Sequence, residues 1–210
     1  GCGLIAATAV LLPAAGATAA PHEVRLAADI LPGPSSSYPE NLIEINGQLF
    51  FEARTAATGY ELWYLDGRTP RLVADINPGP EGSNVGSPVV SGDYLYFRAN
   101  DGSSGAEVWR TNGTGAERVA DINPGEPSSS PTSLTAFGGQ VYFSANEPTA
   151  GTELWRTDGA TTERVMDINA GASSSGPGNF KVMGTRLFFS ANNATHGAEP
   201  WSTDGTTTAL

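Results

Sequence analysis

From residue 40 onward, apolar residues come in short runs such as "LIEI" at 42–45 and "LFFEA" at 49–53, separated by Gly, Asn, Asp, Ser and Pro. Runs of this length bounded by turn formers predict β-strands, and no segment repeats at the 3.6-residue period of a helix. Residues 75–120 can be read as one unit. "DINPGPEGSNVGSP" is polar and reads as a connector. "VVSGDYLYFRA" gives two strands around Gly92-Asp93, matched in the preceding unit by Asn46-Gly47, a two-residue hairpin signal. "NDGSSGA" is then a loop, "EVWRT" a third strand, "NGTG" a tight turn and "AERVADI" a fourth strand.

This unit recurs. "ELWYLDGR" starts at 61, "EVWRTNGT" at 107, "ELWRTDGA" at 153 and "EPWSTDGT" at 199, a constant step of 46 residues. Asp29, Asp75, Asp121 and Asp167 keep the step, as do Phe51, Phe97, Phe143 and Phe189, and Gly33, Gly79, Gly125 and Gly171. The repeats are 29–74, 75–120, 121–166 and 167–210. Four antiparallel strands in a repeat of this length predict an all-β chain of four β-propeller blades. A stacked β-solenoid is the alternative, but its coils are usually shorter and lack two tight hairpins per unit. Leu210 occupies the position of Leu26, inside a fourth strand, so the expectation is an incomplete part of a larger propeller. Alternatively, "HEVRLAADI" at 22–30 supplies an outer strand and closes a four-bladed ring.

Ahead of the repeats, "LIAATAVLLPAAGATAAP" is uncharged and ends in small residues. It reads as a secretory signal peptide over 1–19 without its basic start, cleaved after Ala17-Thr18-Ala19, leaving 20–210 as the mature repeat domain. An uncleaved anchor is the alternative, opposed by Pro13 and Gly16. Cys2 precedes the apolar run, whereas a lipidated Cys follows one. The mature chain then has no cysteine, so its core and ladders must hold it together, as about 190 residues can. All 22 acidic and 11 basic residues lie beyond the leader, and a net charge of −11 argues against nucleic acid or an anionic membrane as partner. Localisation is expected to be secreted or at the cell surface, with no membrane insertion after cleavage, and the chain is expected to be a monomer.

The motif Glu-Leu-Trp-x-x-Asp-Gly-Thr, with an upstream Leu-Tyr-Phe-x-Ala strand and a downstream Asp-Ile-Asn-Pro-Gly turn, resembles the ELWxxDGT repeat family of mainly bacterial, exported repeat proteins. The likeness covers residues 24–210. Departures are Asn112 for the motif Asp, Pro200 for the Leu, and Arg68 and Ala160 for the Thr. Pro200 removes a ladder donor and is expected to weaken pairing in its strand. The resemblance implies an exported repeat architecture and carries no general biochemical activity with it.

In an extended strand residues i and i+2 share a face, so Glu61 and Trp63 point one way and Leu62 the other. Trp63, Trp109, Trp155 and Trp201 suit packing between neighbouring sheets, and a sugar-stacking platform is the functional alternative. Glu61, Glu107, Glu153 and Glu199 suit inter-blade hydrogen bonding, since four equivalent acids do not make the one unequal pair that glycoside hydrolysis uses. Asp29, Asp75, Asp121 and Asp167 precede turns by three residues, where an Asp accepts backbone N–H bonds. Calcium is the sharper alternative for Asp75, Asn77, Asn100 and Asp101, all oxygen donors in adjoining loops, although the EF-hand density of acids is missing. His22 and His196 are the only histidines, which disfavours transition metals, and His196 stands alone in a loop. No residue is assigned to catalysis or to a cofactor: the serines sit in connectors without a nucleophile elbow, and no phosphate loop precedes a helix.

Strands alternate in direction, so the inter-repeat connectors and the loops after each second strand emerge on one face, and the tight hairpins on the other. The first face carries "TAATG" at 55–59, "NDGSSG" at 100–105, "NEPTAG" at 146–151 and "NNATHG" at 192–197, which differ within an otherwise constant repeat. The expectation is a non-enzymatic scaffold that binds an extracellular protein or glycan through this long-loop face; a glycan-acting propeller hydrolase is the alternative. Asn112-Gly113-Thr114 and Asn193-Ala194-Thr195 match glycosylation acceptors, relevant only in a eukaryotic secretory host.

Overall fold

The computed structural model describes residues 24–206 and 208–209. The expected leader over 1–19, with Cys2, lies outside the described residues, as does His22. Among the described residues every regular element is a strand. The first sheet holds β1 (Glu40–Ile45), β2 (Gln48–Thr55), β3 (Gly59–Asp66) and β4 (Thr69–Leu72). The second holds β5 (Gly86–Ser91), β6 (Tyr94–Asn100), β7 (Ala106–Thr111) and β8 (Glu117–Arg118). The third holds β9 (Thr132–Phe137), β10 (Gln140–Glu147), β11 (Gly151–Thr157) and β12 (Thr162–Met166). The fourth holds β13 (Gly178–Met183), β14 (Arg186–Asn193), β15 (Gly197–Thr203) and β16 (Thr208–Ala209). Each sheet is an antiparallel meander in sequence order, the arrangement of a propeller blade.

The sequence signals act where expected. Asn46 and Gly47 both have positive φ, 52° and 78°, as a type I′ hairpin requires. In the second-to-third strand pairing, Phe51 faces Trp63, Phe97 faces Trp109, Phe143 faces Trp155 and Phe189 faces Trp201. The register runs unbroken through Pro200, which pairs with Ser190, so Pro200 does not interrupt its strand.

The two sides of each sheet pack differently. Phe50 and Leu62 of the first sheet bury against Leu95, Phe97 and Ala99 of the second. Tyr96 and Val108 of the second meet Val141, Phe143 and Trp155 of the third, and Tyr142 and Leu154 of the third meet Leu187, Phe189 and Trp201 of the fourth. Each sheet therefore gives its Leu/Val-bearing face to the Trp-bearing face of the next. The first strands touch in series, β1 with β5, β5 with β9 and β9 with β13, which puts them on the inside of the arc. Each first strand carries a bulge that coincides with a residue in the left-handed region: Asn41 (φ 53°), Ser87 (52°), Ser133 (59°) and Asn179 (57°).

The sheets are not closed into a ring. The fourth sheet has its own short outer strand, β16, pairing Thr203 with Thr208. Residues 24–30 form no strand, so the alternative in which 22–30 provides that strand is not realised in its described part.

Candidate functional site

The recurrent Glu of the third strand is the joint between repeats. Glu61, Glu107 and Glu153 are 0% exposed. Glu107 accepts hydrogen bonds from the Ser129 amide (2.8 Å) and hydroxyl (2.6 Å) and from the Ile122 amide (3.2 Å). Glu153 repeats the set with Ser175 (2.8 and 2.6 Å) and Ile168 (3.0 Å). Glu61 accepts from the Ser83 hydroxyl (2.7 Å) and the Asn77 amide (3.1 Å). Burial raises the Glu61 and Glu107 carboxyls above their ordinary range, and the Ser hydroxyls and backbone N–H groups offset this only in part. The gripped Ser is tied onward, because the carbonyls of Ser83, Ser129 and Ser175 accept from the amides of Asn100, Asn146 and Asn192 in the next blade. The connector serines, which read as low-complexity spacer, are thus the partners of the motif Glu. Glu199 is exposed.

A second joint lies at the opposite edge. Arg156 Nη1 donates to the Gly205 carbonyl (2.6 Å), and the Tyr96 hydroxyl to the Asp158 carbonyl (3.2 Å), each reaching the tight turn of the following blade. A Cβ on Gly159 would sit 1.8 Å from Arg110 Nη1, so the motif Gly leaves room for this arm. Arg110 also lies over Tyr94 at 4.4 Å and pairs with Glu117 at 2.6 Å. The motif Asp braces its own turn: Asp158 Oδ1 accepts from the amides of Ala160 and Thr161. Asn112 Oδ1 accepts from the amide and hydroxyl of Thr114, as Asp204 Oδ1 does from Thr206, so Asn is an adequate replacement there.

Trp109, Trp155 and Trp201 lie in the three inter-sheet clusters. Trp63 shares a face with Phe51 and Ala53, the side of the first sheet away from the second. The connector aspartates diverge. Asp167 Oδ2 accepts from the Gly171 amide (3.2 Å), Asp121 faces Arg118 at 3.6 Å, and Asp29 and Asp75 are exposed.

Of the four residues considered for calcium, Asn77, Asn100 and Asp101 come to one corner of the long-loop face. Asn77 Oδ1 abuts Gly102, while its amide nitrogen donates to the Gly82 carbonyl (2.8 Å). Asn100 Oδ1 accepts from the Gly102 amide (2.7 Å). Asp101 Oδ1 accepts from the amides and hydroxyls of Ser103 and Ser104, and its Oδ2 lies 3.7 Å from Arg118. Burial pushes the Asp101 carboxyl up, but those serine donors outweigh it and hold it at about 2. The Asn100 and Asp101 oxygens are thus engaged in fixing the loop. Among the described residues no three His, Cys, Asp or Glu side chains gather in a metal-binding group. Nor is any helix among the described residues long and apolar enough to cross a membrane.

One group escaped the sequence reading. Glu52, on β2, is 7% exposed on the face turned to the second sheet, with Oε2 accepting from Asn41 Nδ2 at 3.1 Å. Burial, opposed by that hydrogen bond and reinforced by Glu40, raises its carboxyl to about 7. Glu40 is its cross-strand partner and is exposed. The equivalents of Glu52 at the 46-residue step are Arg98, Ser144 and Ser190, so only the first blade carries an acid here. A carboxylate at an alternating strand position gives no sequence signal of burial, which depends on the neighbouring sheet.

The long-loop face is built on this frame. The loops after β2, β6 and β10 end in Gly59, Gly105 and Gly151, where a Cβ would meet the following connector at Gly82, Ser128 and Ser174 within 2.7 Å. Loop and connector therefore share one face, as strand alternation predicts. Between those fixed ends the side chains differ: Arg118 bridges Asp101 and Asp121 in the second blade, and Arg164 pairs with Glu147 in the third.

No family model and no curated protein matches the chain. Solved structures do. The β-propeller domain of the Trilobed protease from Pyrococcus furiosus matches at 12% identity and TM-score 0.56, over 83% of this chain and 54% of that one. A puromycin hydrolase matches at 15% identity and TM-score 0.55, over 84% and 29%. A puromycin-hydrolyzing peptidase of Mycobacterium tuberculosis matches at 14% identity and TM-score 0.54, over 82% and 28%. The chain spans about half or less of the length of these proteins. At such identities the likeness is one of fold: the four sheets are a partial β-propeller.

Proposed function

We propose that this chain is a secreted or surface-displayed, non-enzymatic member of the ELWxxDGT repeat type, binding an extracellular protein or glycan through its long-loop face. The observation that supports it is the contrast between frame and loops. Glu61, Glu107 and Glu153 each grip the equivalent Ser of the following connector, while the loops at 55–59, 100–105 and 146–151 vary in charge and polarity on equivalent supports, and the 192–197 loop varies with them. Calcium is not required by this reading, because the Asp101 oxygens already have serine and arginine partners.

The test is a glycan array probed with the chain and with a variant whose 146–151 and 192–197 loops are replaced by the 100–105 loop. Binding that the exchange removes or redirects, with unchanged thermal stability, supports the reading. Binding unaffected by the exchange, or turnover of the bound glycan, contradicts it.

A hydrolase is the second reading, favoured by one observation: buried Glu52, its carboxyl raised to about 7, lies in register with exposed Glu40, which makes an unequal pair of carboxyl groups. Release of reducing sugar that disappears in Glu52→Gln would establish it. The scaffold reading predicts no release from either protein.

A further inference from the structure

Two Asn-Gly pairs occur in the chain, Asn46-Gly47 and Asn112-Gly113. Such a pair is able to modify itself, because the amide nitrogen of a residue without a Cβ reaches the preceding side-chain carbonyl carbon unhindered. The structure holds the two pairs in opposite surroundings.

At Asn112 the neighbours favour attack. The other three repeats carry Asp66, Asp158 and Asp204 at this position, and the amide that replaces the acid here supplies a leaving group. Asn112 is exposed to water on the tight turn between β7 and β8. Its Oδ1 accepts from the Thr114 amide (3.2 Å) and hydroxyl (2.7 Å). Both donors sit where negative charge grows as the carbonyl carbon becomes tetrahedral. The Gly113 amide donates to the neutral Thr111 hydroxyl oxygen (2.9 Å), which gives its own hydrogen to the Gly115 carbonyl (2.5 Å). At Asn46 the nucleophile is restrained instead. The Gly47 amide donates to the Glu44 carboxylate at 2.5 Å, and a negative charge beside that nitrogen disfavours its deprotonation.

We propose that Asn112 is a site of spontaneous deamidation, with water as the co-reactant. The Gly113 nitrogen gives up its proton and bonds to Asn112 Cγ, the Cγ–Nδ2 bond breaks, and ammonia leaves with that proton, closing a succinimide. Water then opens either ring carbonyl, giving aspartate or isoaspartate at position 112. Each product adds one negative charge to the turn. Aspartate restores the residue of the other repeats, and its Oδ1 accepts from the turn as Asp204 Oδ1 does from Thr206. Isoaspartate routes the backbone through the side-chain carbon and lengthens a turn whose Gly113 faces the first sheet, where an added Cβ would lie 3.5 Å from Gln48 Oε1 and Phe50 Cζ. The contact between the first and second sheets is therefore the one that isoaspartate loosens.

Ageing of the full chain near neutral pH, followed by peptide mass spectrometry with chromatographic separation of the isomers, tests this. In the folded chain Asn112 is expected to convert faster than Asn46, and in denaturant the two are expected to convert alike. Thr114→Val removes the hydroxyl donor and is expected to slow Asn112 about 2- to 10-fold, the rate equivalent of one hydrogen bond. Glu44→Ala is expected to speed Asn46 and leave Asn112 unchanged. Asn112→Asp is expected to melt as the fresh parent does, and the isoaspartate fraction at a lower temperature. Conversion of Asn46 as fast as Asn112 in the folded chain, an Asn112 rate indifferent to Thr114→Val, or a preference for Asn112 that persists undiminished in denaturant would overturn the proposal.

Discussion

Replacing Glu107 by Gln keeps the side chain's shape but sets an amide nitrogen among the three donors that Glu107 now accepts from, Ser129 N–H and O–H and Ile122 N–H. Hydrogen bonds to a buried charge contribute about 1.5–3 kcal/mol each when broken singly, so a loss on the order of 2–3 kcal/mol is expected by denaturant unfolding. Glu52 is, like Glu107, a carboxyl that burial raises. Its carboxyl is raised from 4.5 to about 7, so between those values the folded chain holds a proton that the unfolded chain has released. Stability therefore falls as pH rises through this window, by at most about 3 kcal/mol. Glu52→Gln is expected to reduce that fall, to which Glu61 and Glu107 also contribute, and a variant as pH-sensitive as the parent between pH 4.5 and 7 would contradict the assignment. The motif carboxylate was legible in the sequence because it recurs at every copy. Its serine was not, since Ser37, Ser83, Ser129 and Ser175 sit in runs whose composition suggests only a flexible spacer.

Among the elements, strands and hairpins were readable because Gly, Asn and Asp mark their ends, and the Phe–Trp pairing repeats in each blade. Two features were not. Positive φ at Asn41, Ser87, Ser133 and Asn179 falls on residues that also suit ordinary loops, so the bulge in each first strand leaves no distinctive trace. The fourth strand of the second sheet shrinks to two residues in β8, although "AERVADI" reads as a full strand, because an outermost strand has a pairing partner on one side only. The tight turns give a sharp test. Gly159→Ala must place a Cβ at 1.8 Å from Arg110 Nη1 with φ at 89°, whereas Gly67→Ala meets open space at φ 61°. The second change carries only the left-handed strain of about 1–2 kcal/mol, and the first should cost more, read as the difference in unfolding midpoint. Equal costs would mean that the Arg110 arm does not bear on the turn.

At the scale of the molecule, the repeat step foretold four sheets, and the serial contacts of β1, β5, β9 and β13 place them in an open arc. The sequence could not say what the loops hold, because their residues differ without forming a recognisable constellation. Calcium at the Asp101 corner is expected to leave the melting temperature unchanged against a chelator, since its donors are already engaged; a rise of several degrees would show a bound ion. Repeat arrays whose stability lies in nearest-neighbour joints transmit damage locally. The measurement that bears most directly on this account is amide hydrogen exchange, residue by residue, in the parent chain and in Glu107→Gln. The Ser129 and Ser175 amides should be as protected as the strand amides, and the substitution should release Ser129 and Ile122 while Ser175, held by Glu153, stays protected. Rapid exchange at Ser129 and Ser175 in the parent chain, or unchanged protection of Ser129 in the variant, would show that the carboxylates do not join the blades.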